Sequence, residues 1–187
     1  TMFGFQQAKI TPDIICLSKG ITGGYMTLST ILTTDDIYDA FYDEYEKLNA
    51  FLHSHSYTAN PIACSAANAT LDIFKDKNVI KKNKILSAHM KKCFESLKDH
   101  RHVSDVRQKG MVLAIELIKD KKKKVSYNWK ERRGIKAYLH GLKNNVLMRP
   151  LGNVIYFMPP YVITKKEISF VSEVMKDGVD EATKKNS

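Results

Sequence analysis

The chain has 187 residues, of which 43% are hydrophobic, and it carries a formal net charge of +10. This hydrophobic content predicts one or two globular units with a real core. No run of eighteen apolar residues occurs, so neither a transmembrane helix nor a membrane partner is expected. The dense basic run at 119–124 predicts an exposed loop, and because no aromatic residue interleaves it, a nucleic-acid partner is not expected.

A short apolar run at 14–17 predicts one buried strand, and Lys19 follows the run almost at once. The glycines after Lys19 predict a flexible turn, and the apolar run at 28–32 predicts a second strand. Ligands bind at strand ends in open α/β sheets, and a partly desolvated lysine there can attack a carbonyl group. The alternative interpretation is that Lys19 is an ordinary solvated lysine at the end of a strand.

Two helices are predicted next. Thr34, with two aspartates behind it, predicts a cap for a helix that runs to about residue 48, and a loop is expected over 49–57. Asn60 and Pro61 suit an N-cap and a first helical position, so a second helix should begin there with free N–H groups and a favourable dipole. One face of that helix carries its apolar residues, which are Ile62, Ala66, Ala69 and Ile73.

The weak composition at 75–78 is the candidate domain boundary. A helix over about 79–98 is predicted after it, followed by an apolar strand over 111–118. The residues of this helix that should point inward are Leu86, Met90, Cys93 and Leu97.

A helix, a hairpin and a last helix complete the prediction. The helix covers about 128–142, and strands at 146–149 and 154–158 form the hairpin around Gly152 and Asn153. Capping-box spacing then opens the last helix at Thr164 and Glu167. The buried stripe of that helix comprises Ile168, Val171 and Met175. Residues 184–187 are predicted to fray.

The three cysteines, Cys16, Cys64 and Cys93, lie in apolar or helical stretches. They predict small buried side chains that stay reduced in a cytosolic compartment. Neither the cysteines nor the six histidines show a spacing that is typical of metal ligands, so no metal site is predicted.

Three sequence motifs occur in the chain, and the three in this order are far more specific for a protein family than any one of them. They are SKGITGGYMTLS at 18–29, HSHSYTANP at 53–61 and RPLGNVIYFMPPY at 149–161. Together they resemble the class III pyridoxal-phosphate-dependent aminotransferases, and the resemblance extends from residue 1 to about residue 179.

This resemblance implies part of an α/β transferase of fold type I that uses pyridoxal 5'-phosphate. Residues 1–78 would be the end of the large cofactor-binding domain, and residues 79–187 would be the C-terminal small domain. In the family, an aspartate about thirty residues before the lysine holds the pyridine nitrogen, and only 18 residues precede Lys19 here. We therefore expect the chain to be a C-terminal piece that is not a competent catalyst by itself.

The resemblance also implies the cofactor site. Lys19 would bind the cofactor aldehyde covalently and then carry the proton between the substrate carbon and the cofactor carbon. Ser56, with His55 beside it, would supply the hydroxyl that reaches the cofactor phosphate of the neighbouring subunit, at a position usually held by threonine. Counting back from Asn60 makes Ser56 the match rather than Thr58.

Three residues are implied to bind substrate: Ser54, Arg149 and Tyr156. Ser54 falls where related enzymes usually have a glycine whose backbone contacts the substrate. Arg149 precedes a proline, so its backbone should be extended, and a guanidinium pairs well with a carboxylate. Tyr156 matches a tyrosine that lines the same site, although on the sequence alone a core tyrosine is an equal interpretation.

The implied activity transfers an amino group from S-adenosylmethionine to 8-amino-7-oxononanoate, giving 7,8-diaminononanoate for biotin synthesis. Some relatives use lysine as the donor instead. The implied partner is a second copy of the chain, in a homodimer with shared active sites. Two alternatives stay open: a class III transaminase acting on ω-amino acids or ornithine, and a non-catalytic binding module.

Overall fold

A computed structural model describes residues 1–184, which separate into two compact units, one over Thr1–Ile80 and one that begins at Lys81. The division lies two residues beyond the predicted boundary between 78 and 79. In the predicted fraying segment, residues 185–187 lie outside the described part of the chain. No helix in the described part is long and apolar enough to cross a membrane.

The first unit contains two short strands and a long helix. Its elements are α1 (Gly4–Ala8), β1 (Ile14–Leu17), β2 (Thr30–Thr33), α2 (Asp35–Asp39) and α3 (Pro61–Asp76), with single 3-10 turns at Lys19–Thr22 and Tyr45–Lys47. β1 pairs antiparallel with β2, and Cys16 lies opposite Ile31. The predictions of β1, of a second strand and of a helix starting after Asn60 are confirmed.

The predicted burial of β1 is wrong for the described part of the chain. Ile14 is 54% exposed and Ile31 is 60% exposed, because β1 and β2 form a two-stranded sheet that no further described strand extends. Cys16 is exposed, and Cys64 and Cys93 are half-buried, so the prediction of buried cysteines also fails. All three are free thiols.

Helix α2 ends at Asp39, well short of the predicted residue 48. The carboxylate of Asp43 accepts hydrogen bonds from the backbone N–H of Glu44, the ammonium group of Lys47 and the side chain of Asn49. These bonds, led by the one from Lys47, hold the pKa of Asp43 below its usual value. Local side-chain bonds of this kind compete with helical ones, which explains why the helix stops.

The second unit is a two-layer arrangement of helices on an antiparallel sheet. Its helices are α4 (Val79–Phe94), whose first residues fall in the preceding unit, α5 (Arg133–Lys143) and α6 (Lys165–Thr183). Its strands are β3 (Val103–Lys109), β4 (Val112–Leu117), β5 (Arg149–Leu151) and β6 (Val154–Phe157), in the order β3-β4-β6-β5. Further 3-10 turns lie at Glu95–Asp99 and Trp129–Glu131.

The core of this unit lies between the helices and one face of the sheet. Met90 and Phe94 of α4 and Ile168 of α6 are buried against Ile115 and Ile155. Leu97 and Met175 are buried as predicted, and Leu86, Cys93 and Val171 pack against this core at partial exposure. The alternate strand residues form the opposite face of the sheet, as in antiparallel sheets with one covered side.

Three predictions for the second unit need correction. β3 was not predicted, because its sequence offers only Val103 and Val106 as apolar residues of an edge strand. Helix α5 begins at Arg133 rather than near residue 128, because the side chain of Asn128 caps a separate 3-10 turn.

The third correction concerns β5, which begins at Arg149 rather than at residue 146. The backbone N–H of Val146 instead donates to the carbonyl of Gly141 at the end of α5. The hairpin and the capping box are confirmed: β5 pairs with β6, and Thr164 and Glu167 exchange both expected hydrogen bonds. The basic run at 119–124 forms an exposed loop closed by the Asp120–Val125 bridge, as predicted.

Gly134 allows α5 to approach the hairpin closely. A Cβ atom at this position would overlap the carbonyl oxygen of Gly152 and lie 3.1 Å from the Cβ atom of Pro150. We expect Gly134→Ala to lower the free energy of unfolding by about 1–3 kcal/mol, because backbone atoms cannot give way as a flexible side chain can. Urea denaturation measures the loss. Gly4→Ala is the control, since nothing lies within 4 Å of its added Cβ atom; equal stability of both variants would contradict the prediction.

Candidate active site

Lys19 begins the 3-10 turn Lys19–Thr22, directly after β1 and Ser18. Its φ angle is +54°, in the left-handed region that residues other than glycine seldom adopt. Seven other non-glycine residues of the described chain share this range, so the angle gives the shape of the turn and does not by itself mark a site. The Lys19 side chain is exposed in the described structure, so the expected partial desolvation is not observed.

The turn after Lys19 is held by Thr22 and Gly23. Thr22 is fully buried, and its hydroxyl donates a hydrogen bond to the carbonyl of Met26. Gly23 has a φ of +63° and donates its N–H to the carbonyl of Gly20 at 3.1 Å. A Cβ atom at Gly23 would lie only 3.1 Å from the hydroxyl oxygen of Thr70 in α3. Helix α3 therefore supports the turn that presents Lys19.

A groove of about 700 Å³ lies between this segment and α3. Tyr25 and Met26 line one side, and the face of α3 that carries Ile62 lines the other. The predicted apolar face of α3 thus exists, but it lines an open groove instead of a core. Its members are Ile62, Ala66, Ala69 and Ile73.

The start of α3 differs from the predicted anion site in one respect. The side-chain oxygen of Asn60 accepts hydrogen bonds from the backbone N–H groups of Ile62 at 3.0 Å and Ala63 at 3.2 Å. Pro61 has no N–H group. The expected free N–H groups are therefore occupied here, and the attraction for an anion that remains is that of the helix dipole.

The loop before α3 contains Ser54, His55 and Ser56, all exposed. The hydroxyl of Thr58 accepts the backbone N–H of His55 at 3.0 Å, which ties Thr58 into the turn. The His55 Nδ1 atom accepts the backbone N–H of Tyr57 at 3.1 Å, so the proton of the neutral ring lies on Nε2. Within residues 1–184, the Ser56 hydroxyl forms no hydrogen bond. Ser56 is therefore better placed than Thr58 to meet a ligand.

The structure brings Arg149 and Tyr156 together on the hairpin. The two residues are direct partners in the β5–β6 pairing, and the guanidinium carbon of Arg149 lies 5.4 Å from the centre of the Tyr156 ring. This geometry is a cation–π contact. The Arg149 side chain is exposed and forms no ion pair with any acid in the described part of the chain, so its N–H groups can reach a carboxylate.

Several bonds hold this hairpin in place. The side chain of Asn153 donates to the carbonyl of Tyr127 at 2.8 Å, and the carbonyl of Asn153 accepts the N–H of Leu117 at 2.8 Å. Gly152 makes the turn with a φ of +59°. Gly134 and Asn153 therefore position the arginine, a role that local sequence patterns do not reveal.

Sequence reasoning also missed Arg107, which lies in the same row across the open face of the sheet. The row runs from Arg107 through Ala114 and Tyr156 to Arg149. Arg107 donates to Glu116 at 2.8 Å and to Asp105 at 3.1 Å, and these bonds raise the pKa of its guanidinium. The alternation of polar residues along β3 was the available signal. Because the charge of Arg107 is balanced by these two carboxylates, Arg149 is the cation in this row that can bind an anion from outside.

No group of three or more histidine, cysteine, aspartate or glutamate side chains suited to a metal ion occurs in the described residues. The candidate residues thus fall into two sets, one in each unit. Lys19 and the loop carrying Ser54, His55 and Ser56 belong to the first unit, and Arg149 with Tyr156 belongs to the second.

Comparison with known proteins identifies the class. The chain matches the solved ω-transaminase of Pseudomonas jessenii, a complex with PMP, with a TM-score of 0.91 at 24% identity, over 98% of this chain and 40% of that one. It matches the adenosylmethionine-8-amino-7-oxononanoate aminotransferase structure from Methanocaldococcus jannaschii with a TM-score of 0.88 at 40% identity, over 95% of this chain and 40% of that one. The fold is that of the fold type I transferases.

The sequence comparisons narrow the class to a family. Residues 1–179 match the family model of the class III aminotransferases. The chain is 46% identical to the adenosylmethionine-8-amino-7-oxononanoate aminotransferase of Helicobacter pylori, over 98% of this chain and 41% of that enzyme. It is 42% identical to the enzyme of the same name from Geobacter sulfurreducens, over 97% of this chain and 40% of that enzyme.

The chain therefore belongs to the class III aminotransferases, a family that depends on pyridoxal 5'-phosphate. It spans about 40% of the length of the curated relatives it matches.

Proposed function

We propose that the enzyme to which this chain belongs transfers an amino group from S-adenosylmethionine to 8-amino-7-oxononanoate, making 7,8-diaminononanoate for biotin synthesis. The observation that carries the proposal is the 46% identity, over nearly the whole chain, to a relative named for these two substrates. The exposed guanidinium of Arg149 adds chemical support, because the proposed acceptor ends in a carboxylate.

The residues present fit pyridoxal 5'-phosphate. Lys19 offers an exposed primary amine on a strained turn, which suits covalent attachment to an aldehyde. Ser56 offers an exposed hydroxyl just before α3, whose dipole favours an anion such as a phosphate. His55 lies beside it, with the donor Nε2–H still available. When bound, the cofactor supplies the electron sink that amino transfer needs.

Lys19 has a second role in this proposal, as the group that moves the proton. With its Nζ atom free, the Lys19 amine would accept and hold the proton that the substrate carbon loses, while the bound cofactor would supply the electron sink. The amine must be unprotonated and mobile for this step. The exposed side chain at the edge of the turn gives it the necessary freedom, while the buried Thr22 keeps the backbone fixed.

Arg149 and Tyr156 bind the acceptor in this proposal. The Arg149 guanidinium pairs with the carboxylate of 8-amino-7-oxononanoate, and the face of Tyr156 keeps the guanidinium in place. Ser54 lies in the exposed loop before α3, where its backbone contacts the substrate in the proposed site.

The two units correspond, in this proposal, to the end of the large domain (1–78) and the small domain (79–187). The free cysteines fit a reducing compartment such as the cytoplasm. Among the alternatives, the solved ω-transaminases from Pseudomonas jessenii and Thermomicrobium roseum are 24% and 27% identical to the chain, well below the 46% of the relative named for the proposed substrates. The binding-module alternative leaves the match to the class III aminotransferase family unexplained.

Growth complementation tests the proposed activity. We expect the intact protein to restore growth of a biotin auxotroph that lacks this amino transfer, and Lys19→Ala to abolish the effect. Lys47→Ala is the matched control, an exposed lysine of the same unit whose partner is Asp43. Failure of the whole protein to restore growth, when it is well expressed, would contradict the proposed activity. Assays with S-adenosylmethionine and with lysine as donors then decide between the two donors.

Kinetics test the role of the hairpin. We expect Arg149→Ala to raise KM for 8-amino-7-oxononanoate by about 10- to 100-fold, because a charged hydrogen-bonded pair contributes about 1.5–3 kcal/mol. Tyr156→Leu should raise the same constant only a few-fold, since an exposed cation–π contact contributes about 0.5–1 kcal/mol. Tyr156→Phe keeps the ring and should behave like the wild type. An unchanged acceptor KM in Arg149→Ala would remove Arg149 from the site.

We also propose a homodimer with shared active sites, in which Ser56 serves the site that contains the Lys19 of the other subunit. The exposed aromatic loop around Ser56 supports this arrangement, because Phe51, Leu52 and Tyr57 are all largely exposed in one subunit.

A mixing experiment tests the shared sites. The Lys19→Ala and Ser56→Ala variants of the whole protein are mixed, unfolded together and refolded. Their activity is then assayed at a limiting concentration of cofactor. Each heterodimer should regain one intact site, so the mixture should exceed the activity of either variant alone. Heterodimers that are demonstrably formed but show no gain would place both residues in the same subunit's site.

A further inference from the structure

A cleft of about 450 Å³ lies in the second unit, between α4 and the hairpin of β3 and β4. It is on the face of the sheet opposite to Arg149, because the strand residues that line it alternate with those of the Arg149 row. β3 lies at the edge of the sheet, and the small side chains of Ser87 and Ala88 on α4 leave the space beside Val106 unfilled. The volume is within the range of small-molecule sites.

Side-chain hydrogen bonds fix one end of this cleft. The hydroxyl of Ser87 donates to the carbonyl of Gly110 at 2.7 Å. The side-chain amide of Gln108 lies 2.9 Å from three acceptors, which are the carbonyl and the hydroxyl of Ser87 and the carbonyl of Gly110. These bonds tie α4 to the turn between β3 and β4. The cleft is therefore preformed, and a preformed site binds its ligand at a lower cost in ordering.

Lysines line the cleft at seven-residue intervals, at Lys84, Lys91 and Lys98. Seven residues make about two helical turns, so Lys84 and Lys91 lie on one face of α4, about 10.5 Å apart along its axis. Glu95 also lines the cleft and pairs with Lys98 at 2.7 Å. This bond, with a smaller contribution from Lys91, lowers the pKa of Glu95. Three lysines and one carboxylate leave the cleft with two excess positive charges.

Apolar groups supply the rest of the lining. Val106 is partly buried against the core of the unit, and Ala88 on α4 is exposed. The methylene stems of Lys84 and Lys91 add to this surface, because a lysine contacts apolar groups along its stem while its ammonium group stays in water. The cleft thus combines an apolar wall with cationic ends.

We propose that this cleft binds a small amphipathic organic anion of the medium-chain carboxylate class. The ammonium groups of Lys84 and Lys91 meet the acidic group, and the wall formed by Ala88 and Val106 contacts the hydrocarbon part. A few polar groups then set the orientation of the ligand, while apolar contact supplies much of the affinity. The site lies wholly in the second unit, and the proposal does not depend on the aminotransferase activity.

Fluorescence titration of the whole protein with 8-anilinonaphthalene-1-sulfonate tests the site, because this amphipathic anion becomes fluorescent in apolar surroundings. We expect octanoate to displace part of the bound probe. Lys91→Glu should weaken octanoate binding by about fivefold or more, since it replaces an attraction with a repulsion. Ala88→Phe fills the cleft from an exposed position and should abolish the displacement.

Lys82→Glu is the matched control for charge. Lys82 is exposed on the same helix but does not line the cleft, and the substitution changes the net charge by the same amount. It should leave octanoate binding unchanged, and thermal melting of each variant verifies that it is folded. Equal weakening in Lys82→Glu and Lys91→Glu, or displacement that survives in Ala88→Phe, would overturn the proposal. Inorganic phosphate or octanol that displaces the probe as well as octanoate does would also overturn it, because the site requires both charge and hydrocarbon.

Discussion

The register between β5 and β6 is the constraint on which the position of Arg149 depends. Side chains alternate between the two faces of a sheet, so a slip of one residue would turn Arg149 toward the helices. Ile155 prevents the slip, because it is fully buried in the core while its neighbour Tyr156 lies on the other face. A single buried isoleucine therefore helps to fix the location of the guanidinium.

The position of Lys19 depends on helix packing rather than on sheet register. β1 ends just before Lys19, and the turn that follows has to leave the strand at a sharp angle. The left-handed backbone at Lys19 and at Gly23 makes that angle, and the buried Thr22 anchors the turn beside α3. The N-cap at Asn60 defines the start of the same helix, so one helix supports both Lys19 and the Ser56 loop.

The sequence predicted those elements whose signals are local. The apolar run of β1, the Asn60–Pro61 start of α3 and the capping box of α6 all depend on neighbouring residues, and they are confirmed. Burial of β1 was not predictable in the same way, because burial depends on which strands and helices cover it. The edge strand β3 was missed since it needs few apolar residues. The contact between Arg149 and Tyr156 required the pairing register, which a hairpin prediction alone does not fix.

The distribution of acids explains why Arg149 is available in a chain with excess positive charge. Arg107 forms ion pairs with Asp105 and Glu116. The buried Arg133 forms an ion pair with Glu131 and also donates to carbonyls at the end of α6. Arginines that are held in this way stabilise the unit, since buried charge is tolerated only when it is paired. Arg149 contacts an aromatic ring instead, which fixes its position without using its charge. An arginine whose charge is held in place but not neutralised is suited to bind a carboxylate from outside the protein.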